Sequence, residues 1–140
     1  MVTQALPEPT QDERNMALLA HVLMIVTWFI GPLVIYLVKR ESRFVSFHAL
    51  QAVFWQLAYF LVMMVGMGLM FFVMFTTTGP GKPQEPPAAF FLSFFGLWLL
   101  IMGFGMVTLV LGIVYGIKAS KGEWAAYPVI GGWARRLAGI

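Results

Sequence analysis

The sequence of 140 residues contains no cysteine, and only 11% of its residues are charged. The absence of cysteine excludes disulfides, thiolate metal sites and cysteine nucleophiles. A soluble domain has about 25% charged residues, and here Lys, Arg, Asp and Glu are absent from residues 15–38, 44–81 and 86–117. Each of these runs exceeds the roughly 20 apolar residues that cross a bilayer. The sequence therefore predicts an integral membrane protein.

Acidic residues are also missing from these runs, which excludes a carboxylate acid–base pair or proton relay inside the membrane. No phosphate-binding glycine loop is present. The pattern predicts no catalytic residue, no metal site, no cofactor and no small-molecule substrate, so we expect no enzyme activity. The basic residues form no run dense enough to track nucleic acid, and an N-terminal segment with three acids and one base is the reverse of a signal peptide.

The fold class predicted from these runs is all-α, a multi-pass helical protein with three spans in one membrane domain. The polar side chains within residues 44–81 are gathered before residue 57, which divides this run into an interfacial part and a span. The predicted segments are a polar N-terminal tail (1–15), span one (16–38), a basic turn (39–43), an interfacial segment (44–56), span two (57–75), a Pro/Gly loop (76–89), span three (90–117) and a basic aromatic interfacial tail (118–140).

The first apolar run has two interpretations, because Gly31-Pro32 interrupts it. Proline removes a helix hydrogen bond and kinks a span. Alternatively, the run turns back at this point as a re-entrant hairpin covered by other parts of the protein. With three spans, His21 and His48 lie in opposite leaflets, roughly 20 Å apart. With a re-entrant hairpin, the two imidazoles could lie at the same depth.

The positions of the basic residues predict the orientation. With three spans, seven bases lie on the side of the short turn and the C-terminal tail, and two lie on the other side. The positive-inside rule then places the N-terminus outside and the C-terminus in the cytoplasm. With a re-entrant hairpin the N-terminus moves to the cytoplasm, and the bases divide eight to one.

Glycines in the third run lie on two helix faces. At 100° per residue, Gly105, Gly112 and Gly116 share one face, and Gly96 and Gly103 lie opposite. Small residues let helix backbones approach closely in lipid. We expect one glycine face to pack against the protein's own second span and the other to meet a second copy or a membrane-protein partner.

Three polar side chains at the start of the second run, His48, Gln51 and Gln56, lie on one side of a helix. Polar groups embedded in a membrane are functional candidates by default. These three are the candidate polar contact surface.

Three separated pieces of the chain resemble a bacterial family of small membrane proteins of unknown function. The pieces are DERNMALLAH at 12–21, GPL at 31–33 with KRES at 39–42 and FVSFHALQA at 44–52, and IKA at 117–119 with GEW at 122–124 and YP at 127–128. That family is similar to the twenty-kilodalton component of the Tic translocon, which imports proteins across the chloroplast inner envelope. The resemblance implies a multi-pass helical protein of the bacterial plasma (inner) membrane without enzyme activity. It also marks His21, Glu123, Trp124 and Tyr127 as family-motif positions.

These observations predict a non-enzymatic membrane protein that binds, scaffolds or assembles other membrane proteins, with the lipid bilayer as its first partner. This prediction rests on the two glycine faces of the third span and on the lack of catalytic groups in the predicted spans. The alternative is an oligomeric small pore or translocation conduit, since three spans with so little polar surface cannot line an aqueous path alone.

Overall fold

The computed structural model describes residues 7–82, 85 and 87–140, and in this part of the chain it contains helices and no strand. The helices are α1 (Gln11–Val26), α2 (Ile30–Val38), α3 (Arg43–Thr77), α4 (Ala88–Ser120) and α5 (Gly131–Ala138). The predicted all-α class is confirmed.

A capping box starts α1. The Thr10 hydroxyl accepts a hydrogen bond from the Glu13 amide, and the Glu13 carboxylate accepts one from the Thr10 amide. These bonds satisfy amides that have no partner inside the helix, and Asp12 and Glu13 complement the positive end of the helix dipole. The hydrogen bonds to Ser42 and Thr10 lower the pKa of Glu13, so this carboxylate stays ionised to lower pH than usual.

The first apolar run reverses direction between α1 and α2. The turn lies at residues 27–29, where Trp28 has a positive φ of 61°. At the open end of this pair, the Lys39 ammonium lies 2.7 Å from the Asp12 carboxylate, and the Ser42 hydroxyl donates to the Glu13 carboxylate at 2.6 Å. Both ends of the run therefore lie at the same level, and the run forms a helical hairpin.

This hairpin corrects the prediction of three spans. The 16 residues of α1 and the 9 of α2 extend about 24 Å and 14 Å, too short to cross a hydrocarbon core of about 30 Å. Among the residues that the structure describes, two helices are long and apolar enough to cross a membrane, Arg43–Thr77 and Ala88–Ser120. The re-entrant alternative agrees with the structure, although the chain turns just before Gly31 and not at Gly31-Pro32.

The residues just before and at the start of α1 lie against the C-terminal tail, whereas the three-span prediction placed these two segments on opposite sides of the membrane. The guanidinium of Arg14 donates to the Pro9 carbonyl at 3.1 Å. A Cβ built on Gly122 would lie 3.0 Å from the Arg14 Nε and 3.2 Å from the Pro9 Cγ. The N-terminal segment and the C-terminal tail thus meet, because the hairpin returns the start of the chain to the level of residue 122.

The chain divides into two compact units, and the boundary lies within α3 and α4. The first unit contains the described residues up to Leu57 together with Thr108–Ile140, and the second is Ala58–Val107. The predicted border between the interfacial segment and span two, after residue 56, lies one residue before this boundary, although α3 continues through it without a break.

The buried core belongs to the first unit. Ala20, Ile35, Val45 and Ala49 join the hairpin to the start of α3, while Phe47, Leu50 and Ala134 join α3 to α5. In the second unit, the Tyr59 and Phe104 rings stack with centroids 5.0 Å apart. Its large side chains are mostly exposed, as lipid-facing side chains would be.

Gly31 permits the close packing of the hairpin, which leads to a first prediction. A Cβ at this position would lie 2.6 Å from the Leu23 Cβ, a distance that real structures do not tolerate. We expect Gly31→Ala to lower the free energy of unfolding by about 1–3 kcal/mol, measured by SDS titration of the protein in mild micelles. Gly103→Ala is the matched control, because its Cβ would meet nothing within 4 Å and alanine favours helix. Equal stability of the two variants would contradict the packed hairpin.

Candidate functional site

Two buried histidines lie in direct contact at the centre of the first unit. His21 comes from α1 and His48 from α3, and neither ring is exposed to solvent. The His21 Nε2 lies 3.0 Å from the His48 Nδ1. The predicted separation of roughly 20 Å, which depended on three spans, is wrong because the hairpin brings α1 back along α3.

The chain of hydrogen bonds continues from both rings into the C-terminal tail. The His21 Nδ1 lies 2.8 Å from the Tyr127 hydroxyl oxygen. The His48 Nε2 lies 3.0 Å from the Glu123 carbonyl oxygen. The two imidazoles therefore connect α1, α3 and two points of the tail in one series.

The carbonyl at the end of this series determines where the protons lie. A carbonyl only accepts, so the His48 Nε2 must carry a proton, and the neutral ring then has an acceptor at Nδ1. The His21 Nε2 must donate to that acceptor, which leaves the His21 Nδ1 to accept from the Tyr127 hydroxyl. One tautomer of each neutral ring satisfies every group in the chain.

Burial keeps this series neutral. Burial, and then the repulsion that a protonated His48 would exert, hold the pKa of the His21 imidazole well below its usual value. Burial also raises the pKa of the Tyr127 hydroxyl above its usual range. At neutral pH, His21 is uncharged and Tyr127 keeps its proton.

The side chain of Gln51 holds the tail through two hydrogen bonds to the tail's backbone. Its amide nitrogen donates to the Ala125 carbonyl at 3.2 Å, and its amide oxygen accepts a hydrogen bond from the Tyr127 backbone N–H. One buried side chain thus satisfies a donor and an acceptor of a segment that has no regular secondary structure of its own.

Gln56 binds the end of α1. Its amide nitrogen donates to the Met24 carbonyl at 2.6 Å, one of the last carbonyls of a helix that ends at Val26 and so lacks a partner within that helix. The amide oxygen of Gln56 is buried without a hydrogen-bond partner among the described residues. The three side chains of the predicted polar contact surface are thus buried, and the contacts shown for them are internal to the chain.

The motif positions in the tail have different roles. Trp124 packs against the rings of Phe44 and Phe47, with centroid distances of 5.0 and 5.8 Å. The Glu123 side chain is exposed, and its backbone carbonyl makes the bond to His48. Glu123 therefore contributes to this site through its backbone, which no side-chain pattern in a sequence can indicate.

The two glycines of the GxxxG pattern in α4 pack on α1. A Cβ on Gly112 would lie 2.9 Å from the Ile25 Cγ1 and 3.2 Å from the His21 carbonyl oxygen. A Cβ on Gly116 would lie 3.1 Å from the Leu18 Cδ1. Sequence reasoning expected a glycine face to pack against the second span, whereas the contacts shown for Gly112 and Gly116 are with α1, the hairpin helix that carries His21.

The other predicted packing glycines lie in the second unit. A Cβ on Gly96, Gly103 or Gly105 would meet nothing within 4 Å. Gly105 therefore does not share the packed environment of Gly112 and Gly116, although helical geometry aligns the three.

Sequence reasoning missed two contributors to the buried cluster. The Met24 thioether lies 3.6 Å from the Tyr127 hydroxyl oxygen, and the Trp55 indole donates to the Thr108 hydroxyl at 2.8 Å. Met24 and Trp55 stand among apolar neighbours, so a hydropathy pattern does not single them out. The described residues include no group of three His, Cys, Asp or Glu side chains able to hold a metal ion.

Comparison with known proteins identifies a family for the chain. The model of a family described as the magnetosome magnetite crystal formation protein family (MamF/MmsF) matches residues 12–134. No curated protein and no solved structure matches the chain. The predicted resemblance to a small bacterial membrane family is supported at this level, and nothing in the comparisons links the chain to the Tic translocon component.

The clamp made by Gln51 generates a second prediction. Gln51→Leu removes both hydrogen bonds to the tail, which leaves the buried Tyr127 amide unpaired at a cost of about 1–3 kcal/mol and also frees the part-buried Ala125 carbonyl. We expect the Tyr127 amide to exchange with solvent at least tenfold faster, measured by hydrogen exchange in detergent. Gln11→Leu is the matched control, since Gln11 is exposed on α1. Unchanged exchange at Tyr127 in the Gln51 variant would show that the tail is held by other contacts.

Proposed function

Because this chain belongs to the magnetosome magnetite crystal formation protein family, we propose that it is a non-enzymatic scaffold of the bacterial magnetosome membrane. In this role it assembles with other membrane proteins where the crystal forms. The two apolar helices support residence in the bilayer. The scaffold role rests on one observation, the exposed glycine surface that Gly96 and Gly103 form on α4 in the second unit.

The surface of the second unit suits helix association in lipid. Gly96 and Gly103 are exposed, two turns apart on α4, and a Cβ on either would meet no atom within 4 Å. Leu99 and Leu100, which flank the two glycines on the same side of the helix, are exposed by 63% and 47%. Small residues flanked by large apolar ones allow two helix backbones to approach closely. The proposed partner is an apolar helix of a second copy or of another membrane protein.

The first unit supports a structural rather than a catalytic role for the polar residues. His21, His48 and Gln51 have no exposed surface, and their polar atoms bind each other, the Tyr127 hydroxyl or the backbone of the tail. A catalytic group needs access to a substrate in a plausible pose. These side chains instead hold the tail on the helices.

The hairpin also leads to a proposed orientation. With two spans, eight bases lie at the level of both chain ends, namely Arg14, Lys39, Arg40, Arg43, Lys118, Lys121, Arg135 and Arg136, and Lys82 alone lies in the loop between α3 and α4. The positive-inside rule then favours both ends in the cytoplasm. Trp133 and Leu137, exposed on α5, suit contact with the cytoplasmic headgroup layer.

Association through the glycine surface gives a third prediction. Gly103→Leu adds a side chain at a position where a Cβ would meet nothing within 4 Å. We therefore expect the fold to persist and the association to weaken. The yield of in-cell crosslinked complexes should fall at least fivefold. Gly105→Leu is the matched control, because it makes the same change on a different face of α4. Equal crosslinking of wild type and both variants would contradict association through this surface.

The orientation gives a fourth prediction, and the absence of cysteine makes it simple to test. When the protein is expressed in the inner membrane of a host without magnetosomes, a membrane-impermeant maleimide should label Pro80→Cys in intact cells, while Glu8→Cys and Val129→Cys should react only after that membrane is opened. All three positions are exposed. Labelling of Glu8→Cys and Val129→Cys from opposite sides would contradict the hairpin, and labelling of both from outside would reverse the proposed orientation.

A further inference from the structure

The series from Tyr127 through His21 and His48 to the Glu123 carbonyl contains two titratable imidazoles at its centre. Its ends lie in the tail and its middle lies on α1 and α3. Any change in the protonation of the rings therefore acts on the bonds that hold the tail to the helices.

One added proton can be accommodated by reversing the series. With both nitrogens of His48 protonated, His48 Nδ1 donates to His21 Nε2, and the His21 proton moves to Nδ1. His21 then donates to the Tyr127 oxygen, and the Tyr127 hydroxyl turns to the Met24 thioether, whose sulfur lies 3.6 Å away. Every group keeps a partner, although the thioether is a weak acceptor.

A second proton cannot be accommodated. With both rings cationic, His21 Nε2 and His48 Nδ1 would each carry a hydrogen, and these nitrogens are 3.0 Å apart. Two facing donors repel each other, and two adjacent cations without solvent are strongly unfavourable. The series must then open.

In the part of the chain that the structure describes, no carboxylate bonds to either ring to compensate the added charge. From α4, Tyr115 faces His21 with a centroid distance of 6.5 Å, and the Lys118 ammonium lies over the Tyr115 ring. From the tail, Tyr127 faces His21, and the Glu123 carboxylate belongs to an exposed side chain. Within residues 7–82, 85 and 87–140, the carboxylates of Asp12 and Glu13 bond at the far end of α1, and no carboxylate is bonded to either ring.

We propose that the Tyr127–His21–His48 series is a pH-sensitive latch, which holds the C-terminal tail on α1 and α3 when neutral and releases it when both imidazoles are protonated. Release uncovers the apolar surface that the tail and α5 cover, including Met24, Phe47 and Leu50. The released state binds more protons than the latched state, so acid favours release. The latch therefore loses stability as the pH falls below about 6.5, the ordinary imidazole pKa.

The test measures a distance between two spin labels in the full-length protein in nanodiscs. Val38→Cys and Val129→Cys are both strongly exposed, by 71% and 91%, and the natural chain has no other thiol. We expect one narrow distance distribution at about pH 7.5, and a second, broader population that grows reversibly below about pH 6. A distribution unchanged down to about pH 4 would overturn the latch.

A second label pair separates release from general unfolding. Val22→Cys and Val38→Cys report the α1–α2 hairpin, and their distance should stay narrow while the tail is released. Simultaneous broadening of both pairs would overturn a latch confined to the tail.

Substitution of the thioether tests the proton series itself. Met24→Leu keeps the packing volume and removes the acceptor for the reversed hydroxyl, so release should begin with the first proton. We expect the release midpoint to rise by about 0.5–1 pH unit, the equivalent of one net hydrogen bond. Met16→Leu is the matched control, because Met16 packs in a separate cluster with Ala20 and Ile35. Equal midpoints in the two variants would contradict the reversed series.

Ring NMR of the wild type gives a measurement independent of any variant. With ¹⁵N-labelled histidine, the pair should take up its first proton before the tail is released and the second together with release. Two rings that titrate independently near pH 6.5 with the tail still in place would overturn the proposal.

Discussion

A buried polar group must find a partner, and in this protein that constraint is met by one series of hydrogen bonds. A donor or acceptor left unpaired in apolar surroundings costs about 1–3 kcal/mol. His21 and His48 bond to each other at 3.0 Å, and the Tyr127 hydroxyl and the Glu123 carbonyl complete the series. These bonds require that the first apolar run reverses, that α1 lies beside α3 and that the tail passes both rings. The proposed latch follows from the same geometry.

The two units differ in how their side chains are arranged. In the first unit, glycines such as Gly31, Gly112 and Gly116 bring helices close enough for polar groups to meet. In the second, Ala58–Val107, large apolar side chains point outward, and the helices can be exposed to lipid because their backbone bonds are internal. Polar contacts thus define one unit, and an apolar surface suited to lipid and helix partners defines the other.

Much of the fold could be predicted from the sequence, because uncharged runs and Gly/Pro interruptions report directly on helices and turns. The helical class agreed with the structure, and the choice of His48, Gln51 and Gln56 selected residues that contact the rest of the chain. The count of three spans failed because hydropathy measures how apolar a run is and contains no information on its direction. The Glu123 carbonyl was beyond prediction, since every residue has one.

The sequence by itself determined that the chain is helical, apolar and suited to a bilayer, since these properties depend on local composition and spacing. Only the tertiary structure decided that the first run returns on itself and that two histidines 27 positions apart share a hydrogen bond. Both depend on contacts between distant segments. The ion pair of Asp12 with Lys39 and the fit of Gly112 against α1 are such contacts, and the energy of a contact depends on both partners together.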